Sequence, residues 1–167
     1  MAICILTMLF IGVGMVSTVA PKYLPLVLIH KTLGVALLFL VLIRLALRLH
    51  FGAPPLPADL PQAMKLGAKW SHVLLYVLMI AMPLLGLGML WTAAYPVVLY
   101  GGIVIPALLP QSDRGHTLLW AAHVYLGLAF FALVMLHLAA ALFHALIRRD
   151  GVFAAISPLP QRERAGG

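Results

Sequence analysis

Histidine is the residue that could do chemistry in this chain of 167 amino acids, which carries seven of them. Its one cysteine, Cys4, excludes a disulfide framework and every multi-cysteine zinc or iron–sulfur motif. Four acidic residues leave little for a two-carboxylate mechanism or a calcium cage. His30, His72, His123, His137 and His144 fall inside apolar runs, whereas His50 and His116 fall in loops. An imidazole can titrate near neutrality or bind a metal through either nitrogen. Inside a membrane such a group is costly, and its presence points to function.

Their spacing sorts them. His123 and His137 are fourteen residues apart. On a helix that leaves them only ~40° apart around the axis and ~21 Å apart along it. His144 follows seven residues later on nearly the same face. Two sites at two depths fit this stripe better than one zinc centre, whose ligands gather within a few ångström of one ion. Gly34 lies four residues after His30, and Gly127 four after His123. A residue four along stands beside the histidine on the same face. With no side chain there, a broad flat ligand such as a porphyrin can approach the helix. His30 and His123 could then reach one haem iron from opposite faces. The plain alternatives stay open. A histidine in a helix bundle can be a packing or hydrogen-bonding residue, as for His72 and His144. Glycines also mediate helix packing in membranes.

The elements that must position these residues read as membrane spans. The hydrophobic fraction is 64%, the charged fraction 9% and the mean hydropathy +1.11. A soluble domain averages roughly 45–50% apolar and ~25% charged residues. The formal charge of +7 could suggest nucleic acid, but so apolar a chain puts its cations to work in membrane topology, with no nucleic-acid partner. About 20 apolar residues cross the hydrocarbon core as a helix. Four runs qualify: residues 2–19, 26–47, 70–91 and 117–147. They predict an all-α, integral membrane four-helix bundle as a single domain over residues 1–156, with a polar tail at 157–167. Residues 20–25 predict a tight turn. Residues 48–69 form a longer loop with Pro54, Pro55, Pro57 and Pro61. The apolar stretch 97–109, broken by Gly101, Gly102 and Pro106, is too short to span; it lies along the membrane surface or over the bundle mouth. Trp70, Trp91, Tyr95 and Trp120 sit at span ends and read as an aromatic belt.

Orientation follows from lysine and arginine. Arg44, Arg48, Lys65 and Lys69 flank the second loop, and Arg148, Arg149, Arg162 and Arg164 follow the fourth run. The opposite face holds only Lys22, Lys31 and Arg114. Both termini and the second loop are therefore expected on the cytoplasmic side. Lys31 and Arg114 on the outer rim could steer a small anion, or simply meet lipid head groups. Arg44 and Arg48, one turn apart at an inner end, could snorkel, or could pair with haem propionates or an anionic quinone site.

With these features the chain resembles the bacterial cytochrome b561 family of di-haem membrane proteins. The resemblance spans nearly the whole chain. It rests on Leu28-Ile29-His30-Lys31-Thr32-Leu33-Gly34, on Arg44-Leu45-Ala46-Leu47-Arg48 with the proline loop after it, on Trp70-Ser71-His72-Val73-Leu74-Leu75-Tyr76, and on His123 with Leu136-His137. It implies two b-type haems: an outer one held by His30 and His123, and an inner one held by His137 and a histidine of the first helix. The chain departs from the family here. The usual His-Trp pair at the inner start of the first helix has no counterpart before His30. One expectation is that the start has been set too far downstream and that the histidine lies just upstream. Otherwise the inner haem is absent, or His137 binds it with a substitute such as His72.

The resemblance further implies a quinone-linked oxidoreductase of the superoxide oxidase type. A small anionic donor, superoxide, would give electrons at the outer face, and membrane ubiquinone would receive them in the lipid. Two alternatives stand beside it. The chain could be the cytochrome b anchor of a partner oxidoreductase, such as a hydrogenase or formate dehydrogenase, or a non-redox membrane bundle, a transporter or assembly factor. His72, Arg44, Arg48 and His144, all toward the cytoplasmic side, are the candidates for the quinone end.

Overall fold

A backbone in hydrocarbon has to satisfy its own N–H and C=O groups, so long uncharged apolar runs become helices. The computed structural model describes residues 1–17, 20–52 and 59–150. It contains helix α1 (Ala2–Val16), α2 (Tyr23–Phe51), α3 (Gln62–Thr92) and α4 (Asp113–Phe143), the last continued by a π-helical turn, His144–Arg148. Between α3 and α4 two short strands, β1 (Val97–Val98) and β2 (Val104–Ile105), pair antiparallel with Val97 opposite Ile105. The polar tail and the proposed domain boundary after residue 156 lie outside the described residues, as do Pro54, Pro55 and Pro57.

Among the described residues three helices are long and apolar enough to cross a membrane: α2, α3, and α4 with its π turn. The run at residues 2–19 yields a shorter element than its composition predicts. Helix α1 has 15 residues, about 22 Å at 1.5 Å each, against a hydrocarbon core of ~30 Å. It stops where Ser17 donates its hydroxyl to the Gly14 carbonyl at 3.1 Å.

The other helices outrun the apolar runs that predict them. Helix α2 starts at Tyr23, so Pro25 is in its first turn rather than in a loop. The N–H that proline lacks would have no intrahelical partner there. Helix α3 starts at Gln62, eight residues before Trp70, and carries Lys65 and Lys69 in helix. Hydropathy marks what can sit in lipid, and a helix continues past that limit wherever nothing breaks it. His50 and His116 are consequently helical, in the last turn of α2 and the first turn of α4. The N-terminus of α4 is capped by Ser112, whose Oγ accepts the Gly115 N–H at 3.1 Å.

The apolar stretch after α3 takes the second of its two expected positions, over the bundle mouth. Val97 is fully buried and Leu99 nearly so. The turn between the strands uses Gly101 and Gly102, both at φ +79°, where a Cβ would be strained. Its anchor is Tyr100, whose backbone N–H donates to Thr32 Oγ1 of α2 at 2.9 Å.

Packing is sparse, as suits a lipid solvent. Large side chains such as Phe39, Ile43, Leu136 and Leu146 point outward. The most extensive helix contact is α3 on α4; α2 packs on α3 and α1, and α1 also touches α4. At mid-depth Leu9, Leu75, Leu78 and Phe130 form a buried cluster. Lipid tails are as apolar as these side chains, so close packing rather than water exclusion holds the layer together.

Two outcomes follow. Phe130→Ala leaves a void in that layer and is expected to cost about 3 kcal/mol, read as a lower thermal midpoint in detergent; an unchanged midpoint would contradict a packed layer. Thr32→Val removes the acceptor of Tyr100 N–H, a loss of about 1 kcal/mol. Amide exchange at residues 99–102 should then be roughly fivefold faster, and unaltered exchange would show the hairpin is held by other contacts.

Candidate functional site

The helices bring the intramembrane histidines together in two pairs. His30 of α2 and His123 of α4 face each other with ring centroids 6.0 Å apart and planes 77° apart. His72 of α3 and His137 of α4 face each other with centroids 5.5 Å apart and planes 65° apart. One antiparallel register of α3 on α4 sets both depths, and α2 brings His30 to the first of them. His123 and His137 share a stripe of α4 fourteen residues apart. On α3 the same interval separates His72 from Gly86, and Gly86 lies against His123. The cluster around Phe130 sits midway between the pairs, since Phe130 is seven residues from each α4 histidine.

The first pair opens into a cavity of about 790 Å³ between all four helices. Gly34, Gly127 and Lys31 line it, as the spacing predicts for the two glycines. So do Val97 of the hairpin and Trp120, so Trp120 does more than mark a membrane boundary. Six of the eight methionines, Met1, Met8, Met15, Met79, Met82 and Met89, complete the wall. Their thioethers are flexible and polarisable and adapt to a ligand's outline. A Cβ on Gly34 would stand 2.8 Å from Met8 Cε, and one on Gly127 3.3 Å from Met82 Cε. Each glycine leaves room beside its histidine that the end of a flexible methionine side chain now occupies. Pro83, also in the wall, interrupts the hydrogen-bond ladder of α3 beside the cavity.

These residues fit a haem. Two imidazoles on opposite sides of one metal ion, at metal–nitrogen distances of about 2 Å, have centroids roughly 6 Å apart. Cavities for ligands of this size run to about 300–1,000 Å³ and are mostly apolar. Nδ1 of His30 and of His123 is buried without a hydrogen bond of ordinary geometry. The Met82 backbone lies within electrostatic reach of the His123 ring. Among the described residues no three histidine, cysteine, aspartate or glutamate side chains converge on one point.

The second pair has a different setting. Arg44 and Arg48 of α2 both act electrostatically on His72. The Arg48 guanidinium also lies over the Tyr76 ring, 5.9 Å from its centroid. Cations and imidazoles gathered at one helix end suit an anionic or strongly polar head group.

The remaining candidates are elsewhere. His144 Nδ1 meets Asp150 Oδ2 at 2.7 Å, in a network where Arg148 donates to the same oxygen at 2.7 Å and to Asp59 at 2.5 Å. This network ties the end of α4 to the approach to α3. His116 Nδ1 lies 2.9 Å from the Met89 carbonyl and joins α4 to α3. Arg114 sits in the first turn of α4, outside the cavity wall that includes Lys31.

Sequence reasoning missed the contribution of α1 and α3 to the cavity, above all Gly12 and Gly86. The one available signal was the fourteen-residue interval shared by His72–Gly86 and His123–His137.

Known proteins resemble this chain over most of its length. Residues 1–158 match the family described as prokaryotic cytochrome b561. A probable superoxide oxidase CybB of Yersinia pestis is 30% identical over 132 residues, covering 78% of this chain and 74% of that protein. Cytochrome b561 homolog 1 of Escherichia coli K12 is 25% identical over 129 residues, 77% of this chain and 73% of that protein. Homolog 2 of the same organism is 28% identical over 123 residues, 73% and 65% respectively. The chain belongs to the prokaryotic cytochrome b561 family, and is accordingly a multi-pass bacterial membrane protein that binds haem b and serves electron transfer.

Proposed function

We propose that this chain carries electrons from superoxide at the outer face of a bacterial inner membrane to ubiquinone within it. The observation that carries the reading is the His30–His123 pair facing across an apolar cavity. In this reading residues 1–156 form one four-helix bundle with both termini cytoplasmic and residues 157–167 as its tail. His30 and His123 hold an outer haem b. Bound haem supplies a one-electron couple whose potential the protein tunes through ligands, burial and charge.

The chain's own residues do the rest. His30 and His123 would hold the haem iron between them, which would favour electron transfer over oxygen binding. The apolar wall keeps water from it. Lys31 at the cavity and Arg114 at the start of α4 give the outer rim a positive field that draws a small anion inward. Two superoxide ions leave as two O2, and one quinone takes up the two electrons with two protons to become quinol. His137 serves an inner haem, with His72 opposite it. Arg44 and Arg48 meet the charge of propionates or of a quinone head group at this end. The name of the Yersinia pestis relative supports a stand-alone oxidase over an anchor subunit; co-purification with a large dehydrogenase would reverse that preference.

The first test is optical. The purified protein should show a dithionite-reduced-minus-oxidised spectrum of b type, and His30→Ala and His123→Ala should each lose at least one haem per chain by pyridine haemochrome. A colourless wild type, or variants with undiminished haem, would refute the ligand assignment. Lys31→Glu tests the donor: superoxide oxidation should slow roughly tenfold, as expected from reversing a steering charge, with the haem spectrum intact. An unchanged rate would exclude steering by this residue.

A further inference from the structure

Each imidazole of the outer pair is backed by a glycine from a helix that carries neither histidine. A Cβ on Gly86 of α3 would stand 3.1 Å from His123 Cε1 and 3.5 Å from its Nδ1. A Cβ on Gly12 of α1 would stand 3.5 Å from His30 Cε1 and 3.9 Å from its Nδ1. The first distance is shorter than ordinary van der Waals contact, so the ring would have to give by a few tenths of an ångström. The second is ordinary contact.

Something has to hold these rings. The torsion that turns an imidazole about its Cβ–Cγ bond is broad, so the side chain does not choose a plane by itself. Histidines that bind metals are usually held by a hydrogen bond from the second ring nitrogen. Here neither Nδ1 makes one of ordinary geometry. The constraint left is steric: the ring edges lie where a Cβ on Gly86 or Gly12 would stand, and the ring planes are 77° apart.

We propose that Gly86 and Gly12 are positioning residues that set the planes of the His123 and His30 imidazoles and keep them near perpendicular. The proposal rests on the reading that these two rings ligate one haem b. The angle between axial imidazoles has an electronic consequence. Each ring's π orbital overlaps the iron d orbital that lies in the matching plane. Crossed rings leave the two d orbitals nearly equal in energy, and parallel rings split them. The splitting fixes the g anisotropy of the oxidised low-spin iron and contributes to its potential. The two glycines therefore act on the redox group without touching it.

The test uses electron paramagnetic resonance and a potentiometric titration of the purified holoprotein and four variants. Gly86→Ala should move the largest g value and the midpoint potential of the outer haem while its haem content stays whole. Gly12→Ala should move both by less, because its Cβ would find ordinary contact. Two controls isolate the ring contact. Gly88→Ala lies on the same helix, and its Cβ would meet Leu119 Cδ1 at 3.2 Å without reaching a histidine. Gly14→Ala lies on α1 with nothing within 4 Å. Both should leave the spectrum and potential where they are. Equal shifts in Gly88→Ala and Gly86→Ala would mean that helix spacing, not the ring, is responsible, and would overturn the proposal. So would an unchanged spectrum in Gly86→Ala. If Gly86→Ala loses haem, Gly12→Ala decides, and an unmoved g value there overturns it. A low-spin signal that survives His30→Ala and His123→Ala would instead overturn the ligand assignment beneath it.

Discussion

The architecture depends on one constraint: an imidazole in the hydrocarbon layer has to be met from inside the protein. Water cannot reach it, and lipid offers no partner. Four histidines at membrane depth satisfy this by facing one another, His30 with His123 and His72 with His137. The α3–α4 pairing, the most extensive among the described residues, sets the two depths in one antiparallel register, and α2 supplies His30 at the first. Much else follows from that register. The Phe130 layer lies where the two depths leave a gap, and the small residues cluster where rings need room.

The two depths differ in what surrounds them. The first is roofed by the hairpin and walled mostly by apolar side chains, methionines prominent among them, with Lys31 and the two imidazoles as its polar groups. The second lies beside Arg44, Arg48 and Tyr76. Helix α1 is the thinnest part of this design. At 15 residues it covers the first pair through Gly12 and Met8, and its Leu9 reaches only the mid-depth layer.

Much of this was legible in the residues, for identifiable reasons. Composition announced the membrane. The fourteen-residue interval on α4 announced two depths, and the His–Gly spacing announced the first cavity. All of these are local: they depend on helical period alone. What was not legible depends on which helix meets which. Gly86 is an unremarked glycine in an apolar run until α4 brings His123 against it. His72 could be a packing residue or a site residue until it is seen facing His137. Helix ends were also hidden, because hydropathy falls at Lys69 while the helix begins at Gln62. The hairpin was left between two positions for a related reason: its roofing place depends on burial of Val97 and on a long-range hydrogen bond to Thr32, which no local pattern encodes.

The central claim is that one metal centre lies between α2 and α4, shared by two imidazoles. An anomalous difference map at the iron edge, from crystals of the haem-loaded protein, tests it directly. The account predicts an iron peak between the His30 and His123 rings, with a nitrogen of each as its axial neighbour. Iron found only at other residues, with no peak between these two rings, would contradict it.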